Sequence, residues 1–187
     1  MEKLTSKSIA MVGVMAALSN VLSFIYVPLA PGVNLYFLVQ VPYFIVAMTL
    51  GPLAGALAGL LGTLTMAYTV YISKGIGGVF IPVGNAILAG VTGFIAEKVK
   101  IFDRLERGEF FWPVACAAVG EFAEAPYIFV TLLVTFVFMV GMELGVAMNI
   151  IFIIMGKAMI EVLLSSFIVA VLLGNPSVRT MLQAFRR

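Results

Sequence analysis

The chain predicts an all-α integral membrane protein of six transmembrane helices with both termini in the cytoplasm. Three observations predict it. The sequence is 63% hydrophobic, with a mean hydropathy of +1.16. Charged residues make up 11% of it, against about 25% in an ordinary soluble domain. Nine of its eleven Lys and Arg fall in three short patches: Lys3 and Lys7; Lys98, Lys100, Arg104 and Arg107; Arg179, Arg186 and Arg187.

Apolar runs long enough for a bilayer recur along the whole chain, and turn chemistry separates them. The expected spans are 8–27, 36–51, 53–72, 79–97, 111–138 and 143–173, within a single transmembrane domain over residues 1–187. Pro28, Pro31 and Gly32 end the first span. That span reads as a retained helix, because no small-residue cleavage site follows it. Gly51-Pro52 joins the second span to the third with almost no loop, and the glycine-rich stretch Ser73 to Gly78 joins the third to the fourth. The second span is short for a hydrocarbon core of about 30 Å, which implies tilting, a break or partial re-entry. Glu97 to Glu109 is the one long hydrophilic connection, and Pro126 is expected to kink the fifth helix.

Six spans with cytoplasmic termini put all three basic patches inside and leave Lys74 alone outside, with Lys157 within a span. Cytoplasmic loops carry the excess of Lys and Arg, so the inverted orientation is disfavoured. Trp112 then sits at the inner interface, where amphipathic rings collect. The absence of histidine excludes His-ligated metal sites and His-based acid–base catalysis. The single cysteine, Cys116, has no partner for an intrachain disulfide. No Walker A sequence or glycine-rich phosphate cradle is present, so ATP-driven movement of a solute needs an ATPase on another subunit. The net charge of +2 reflects orientation rather than affinity for nucleic acid.

Two patterns of small residues stand out. Gly13 and Ala17 form a small-x-x-x-small ridge on the first helix, which lets another helix backbone approach closely. The ridge packs either inside the chain or against a separate membrane subunit. Gly51, Gly55 and Gly59 repeat the spacing on the third span, where a tight internal helix crossing is the expectation.

Polar groups lie deep in the last two spans. Glu121 and Glu124, three apart, share one face; Lys157 and Glu161, four apart, can pair along the helix. At about 1.5 Å per residue these four reach similar depth, with Asn149 about 12 Å further out. An intramembrane charge costs at least about 2.5–3.5 kcal/mol, so lipid exposure without a partner is disfavoured. Two readings stay open for Lys157: an ion pair with Glu124 or Glu161, or the polar wall of a solute cavity. Glu121 and Glu161 are read as structural. Asn85 and Gln40 add neutral hydrogen-bonding groups. The outer loop Pro28 to Tyr36 carries no charge, and is expected either to cap a ligand or to skim the membrane. The Gly75–Gly78 loop is placed to flex over the same face.

This layout, the first-helix ridge, the uncharged first outer loop and the segment VPYFIVAMTLGPLAGALAGLLGTL (residues 41–64) together resemble the substrate-binding S components of energy-coupling factor (ECF) vitamin transporters. The resemblance implies an S-component-like bundle in a prokaryotic cell (inner) membrane. It implies high-affinity binding of a vitamin in an outward-facing cavity capped by the first loop. It further implies work with a transmembrane coupling subunit and two cytoplasmic ATPases, the coupling subunit docking on Gly13 and Ala17. No catalysis, metal or resident cofactor is implied, ATP being bound on partner subunits alone. The candidate substrate-binding set is Asn34, Tyr36, Gln40, Asn85, Glu124, Tyr127, Asn149 and Lys157.

Within the family, cobalt and nickel members use an N-terminal histidine that this chain lacks, and thiamine members lean on pocket tryptophans. Riboflavin-type members resemble this chain in length, in the segment around Gly51-Pro52, and in an Asn and a Lys on the sixth helix. Riboflavin is therefore the expected solute, with folate, pantothenate, cobalamin or another vitamin precursor behind it. A different class is a self-contained ion-coupled transporter using Glu124, Lys157 and Glu161 as a relay; the inverted repeat that favours it is absent from the sequence. An intramembrane enzyme is disfavoured by the lack of His, of a paired-Asp motif and of a Ser/Lys dyad.

Overall fold

The structure, a computed structural model, describes residues 5–30 and 33–185. The expectations placed on Lys3, Pro31, Gly32, Arg186 and Arg187 therefore lie outside the described residues. The chain is 84% helical. Four helical stretches are long and apolar enough to cross a membrane: Pro52–Ser73, Ile76–Lys98, Trp112–Met139 and Leu144–Gly174. This composition of helices is compatible with an all-α membrane protein. Two further apolar helices, α1 (Ser6–Leu22, 17 residues) and α2 (Phe37–Leu50, 14 residues), fall below that length.

Helix α1 begins where Thr5 caps it, its hydroxyl accepting from the Ser8 N–H at 3.2 Å. It stops at Leu22, five residues short of the expected span. Pro28 disfavours helical geometry at Val27. The backbone of Val27–Ala30 (β1) instead pairs antiparallel with Val33–Leu35 (β2), Val27 opposite Leu35 and Pro28 opposite Asn34. The loop expected to lie outside thus contains a pair of antiparallel strands, an element that its Pro-rich composition did not announce.

Helix α2 is the centre of the molecule. Eleven of its fourteen residues are buried, among them Tyr43, Phe44 and Val46, which are fully enclosed. Helices α1, α3, α5 and α8 surround it. At about 1.5 Å per residue it rises only about 21 Å, well short of a bilayer core. Its end is set by Gly51, whose φ of 87° is open to glycine but not to side-chain-bearing residues. Pro52 then starts α3 (Pro52–Gly62) at the position where its missing N–H costs nothing.

The expected third span is broken in two, α3 and α4 (Leu64–Lys74), at Thr63. Asn20 on α1 accounts for the break. Its amide nitrogen donates to the Leu61 carbonyl at 2.8 Å and its oxygen accepts from the Thr65 N–H at 2.8 Å. Backbone groups freed at the break thus find partners, as they must in lipid.

A tight turn at Ile76–Phe80 leads into α5 (Ile81–Lys98). Helices α3 and α5 cross with almost no side-chain padding. A Cβ on Gly55 would come within 2.8 Å of the Ala89 carbonyl oxygen, and on the α2 side of α5 one on Gly93 would come within 2.9 Å of the Ala47 carbonyl oxygen. A Cβ on Gly59 would come closer still to the Asn85 carbonyl oxygen. The glycine stripe of the third span serves internal packing.

The hydrophilic connection holds a short helix, α6 (Ile101–Glu106), which tucks Ile101, Phe102 and Leu105 into the core. Helix α7 (Trp112–Leu133) continues through Pro126 and ends in a wider π-type turn, Val134–Met139. Helix α8 (Leu144–Gly174) is the longest, and α9 (Pro176–Gln183) follows, capped by Asn175. Near the start of α7 the Trp112 indole N–H donates to Glu109 at 2.6 Å, and Arg104 approaches the same carboxylate at 3.1 Å. These partners, the indole first, hold the Glu109 carboxyl below its ordinary range.

Candidate functional site

The short rise of α2 leaves a cavity of about 310 Å³ beyond its first residues, at the lower end of the roughly 300–1,000 Å³ usual for small-molecule sites. The walls come from elements distant in sequence: the end of the hairpin, the start of α2, α4, the glycine turn before α5, the second half of α7 and the first half of α8. Seven of the eight candidate substrate-binding residues line it: Asn34, Tyr36, Gln40, Asn85, Glu124, Tyr127 and Lys157. Asn149 does not. It is exposed on the outer side of α8, because the eight residues separating it from Lys157 do not bring it back to the inward face.

Most of these polar groups already serve the fold. Lys157 Nζ lies 3.0 Å from Glu161 Oε1, one turn along α8, and 5.4 Å from the centre of the Tyr36 ring. The same Glu161 oxygen accepts the Tyr36 backbone N–H, which fastens the start of α2 to α8. Of the two partners open to Lys157, the structure selects Glu161. The Ser165 hydroxyl donates to Gln40 Oε1 at 2.9 Å, with the Phe37 and Glu161 carbonyls at 2.7 and 2.5 Å. Tyr43 Oη donates to Asn85 Oδ1 at 2.6 Å, while the Asn85 amide nitrogen donates to the Ile81 carbonyl at 2.9 Å. Tyr127 Oη donates to the Phe80 carbonyl at 3.2 Å, and the Asn34 amide nitrogen to Tyr36 Oη at 3.4 Å.

Glu124 differs from this set. It is buried in the cavity wall, and among the described residues it accepts no hydrogen bond and joins no ion pair. Its carboxylate lies against Gly84 on α5, where any Cβ would collide with it. Glu121, one turn earlier, lines the same wall and also lacks a partner among the described residues. Glu121 and Glu161, read from sequence as structural, both line this cavity; Glu161 also makes the ion pair with Lys157 that the structural reading expects.

The sequence did not single out the apolar wall, Met66 and Val70 of α4, nor Thr131 and Thr135 near the end of α7. The threonine hydroxyls donate to carbonyls one turn back, at 2.7 Å each, so they are satisfied within the helix. The Gly75–Gly78 turn does lie on the cavity. A second hollow, of about 300 Å³, sits at the other end of α2 beside Gly51, Glu97 and Asp103, and holds none of the candidate residues. No group of three or more Cys, Asp or Glu poised for a metal ion occurs among the described residues.

Gly13 and Ala17 are exposed, and a Cβ on Gly13 would meet nothing within 4 Å. Val14, Leu18 and Val21 on the same helix are also exposed. This ridge takes no part in packing within the chain. No protein-family model, curated protein or solved structure matches this chain.

Proposed function

We propose that the chain is the solute-binding S component of an ECF-type importer, holding a vitamin or vitamin precursor in the cavity above α2. One observation carries this reading. Seven polar residues chosen from four separate stretches of sequence converge on a single ligand-sized cavity, while the small-residue ridge of α1 stays unpacked on the outside. A membrane protein that keeps a mostly apolar cavity with a few polar groups at one end and an open docking ridge elsewhere suits binding in partnership better than catalysis.

In this reading all six apolar helical stretches cross the membrane of a prokaryotic cell, with both termini in the cytoplasm. The hairpin and cavity face outward. The chain performs no chemistry of its own; a transmembrane coupling subunit docks on Gly13 and Ala17, and two cytoplasmic ATPases supply the energy. Riboflavin is the first solute to test on the resemblance, with folate, pantothenate and cobalamin next. A self-contained ion-coupled transporter is the competing class, favoured by the carboxylates of the cavity wall.

The test is purification of the tagged chain from its native membrane. Copurifying ATPase and coupling subunits, and a vitamin identified by native mass spectrometry, are the expected result. A chain that purifies alone and exchanges solute in vesicles without ATP sinks the proposal. Gly13→Leu with Ala17→Leu should abolish uptake while the isolated chain still binds its solute; loss of both would mean that the ridge supports the fold.

A further inference from the structure

Among the described residues that line the cavity are three carboxylates, Glu121, Glu124 and Glu161, and one ammonium, Lys157. Lys157 and Glu161 neutralise one another at 3.0 Å. That leaves Glu121 and Glu124, which are 4% and 5% exposed and line the cavity without a hydrogen-bond or ion-pair partner among the described residues. Their spacing puts them on one face of α7, about 5–6 Å apart at Cβ. Their oxygens are not among the fully enclosed, unpartnered atoms of the described residues, so they remain reachable acceptors for a donor placed in the cavity. Two carboxylates at this separation repel each other where water is scarce, which favours a proton held on the pair while no cation is present.

The occupant that uses these free acceptors and lets both groups ionise is a cation able to donate hydrogen bonds. A neutral solute leaves the proton on the pair and gains no charge attraction, an anion adds negative charge beside it, and a cation takes the place of the proton while donating to both groups. Aromatic residues Tyr127, Phe80 and Phe136 line the same cavity, and a cationic nitrogen group over an aromatic face gains further attraction. We infer that the solute carries a protonated amine or an amino-substituted nitrogen heterocycle, and that this group is held by Glu121 and Glu124. The inference rests on the binding-subunit reading above and narrows its solute class from vitamins in general to basic ones, away from neutral riboflavin.

The test is calorimetric titration of the purified full chain at neutral pH with probes of three charges. The cationic probes are thiamine, benzamidine and tryptamine; riboflavin is neutral and pantothenate anionic. At least one cationic probe should bind ten times more tightly than riboflavin or pantothenate. Glu124→Gln and Glu121→Gln should each weaken that probe about tenfold, while Glu143→Gln, outside the cavity, should not. Both cavity variants should melt no lower than the parent without ligand, since they remove an unmatched buried carboxylate. The inference is overturned if riboflavin or pantothenate matches the best cationic probe, or if no cationic probe binds at millimolar concentration. Unchanged cation affinity in both variants, or a lowered melting point in both, also overturns it. Cation preference in a chain that purifies without ATPases keeps this inference and removes the importer; riboflavin bound to a chain that purifies with them does the reverse.

Discussion

Asn20 shows how much one side chain can decide. It sits on α1, yet it serves both sides of the break between α3 and α4, 41 and 45 positions away. Asn20→Ala should strand the Leu61 carbonyl and the Thr65 N–H in an apolar setting, at a cost of about 1–3 kcal/mol. Denaturation of the detergent-solubilised chain would show it as a lowered midpoint; an unchanged midpoint would mean that water or lipid headgroups satisfy these groups. Lys157 poses a different question, since its pairing with Glu161 does not exclude a ligand contact. Removing one partner of a largely buried pair costs about 3 kcal/mol, because the other charge is left alone. Lys157→Met should therefore destabilise the chain, and Lys157→Met with Glu161→Gln should recover most of the loss. If solute affinity returns with stability in the double variant, the lysine acts through the pair; if affinity stays low, the ammonium touches the solute.

Helices α1 and α3 carry the same small-residue spacing in opposite environments. Glycine in a helix interior costs roughly 0.5–1 kcal/mol relative to alanine, so Gly→Ala is stabilising where the methyl has room. At Gly13 it has room. At Gly59 it meets the Asn85 carbonyl, which belongs to the backbone of α5 and cannot step aside. Gly13→Ala should be neutral or raise stability by up to about 1 kcal/mol, whereas Gly59→Ala should lower it by about 1–3 kcal/mol. Equal effects of the two changes, measured as unfolding midpoints, would contradict the α3–α5 contact. The short α2 matters in another way: by stopping near 21 Å, at about 1.5 Å per residue, it opens the cavity that longer neighbours enclose.

For the molecule as a whole, the distribution of Lys and Arg predicts that the cavity end faces outward and α9 faces the cytoplasm. Cys116 is fully buried, so the parent chain offers a silent background for thiol labelling. Ser73, beside the glycine turn, and Ser177, on α9, are both exposed. An impermeant maleimide should label Ser73→Cys in intact cells and Ser177→Cys only after the membrane is opened. Labelling of both from one side would break the six-span topology.

Membrane residence, the six apolar stretches and the positions of most boundaries were legible in the linear chain, because length, apolarity and charge are local quantities. The polar residues of the cavity were legible for a related reason: polar groups deep in an apolar helix are costly, so each one marks a place where the fold supplies a partner or a purpose. What the chain could not show was how these parts meet. Helical spacing placed Asn149 and Lys157 on one helix but did not say which faced inward. The hairpin rests on pairing across a turn, and the break at Thr63 on a side chain from α1. The opposite fates of Gly13 and Gly59, and the choice of Glu161 over Glu124 for Lys157, depend on neighbours brought together by folding. Contact between residues distant in sequence is a property of the assembled bundle, and the two unmatched carboxylates of its cavity exist only there.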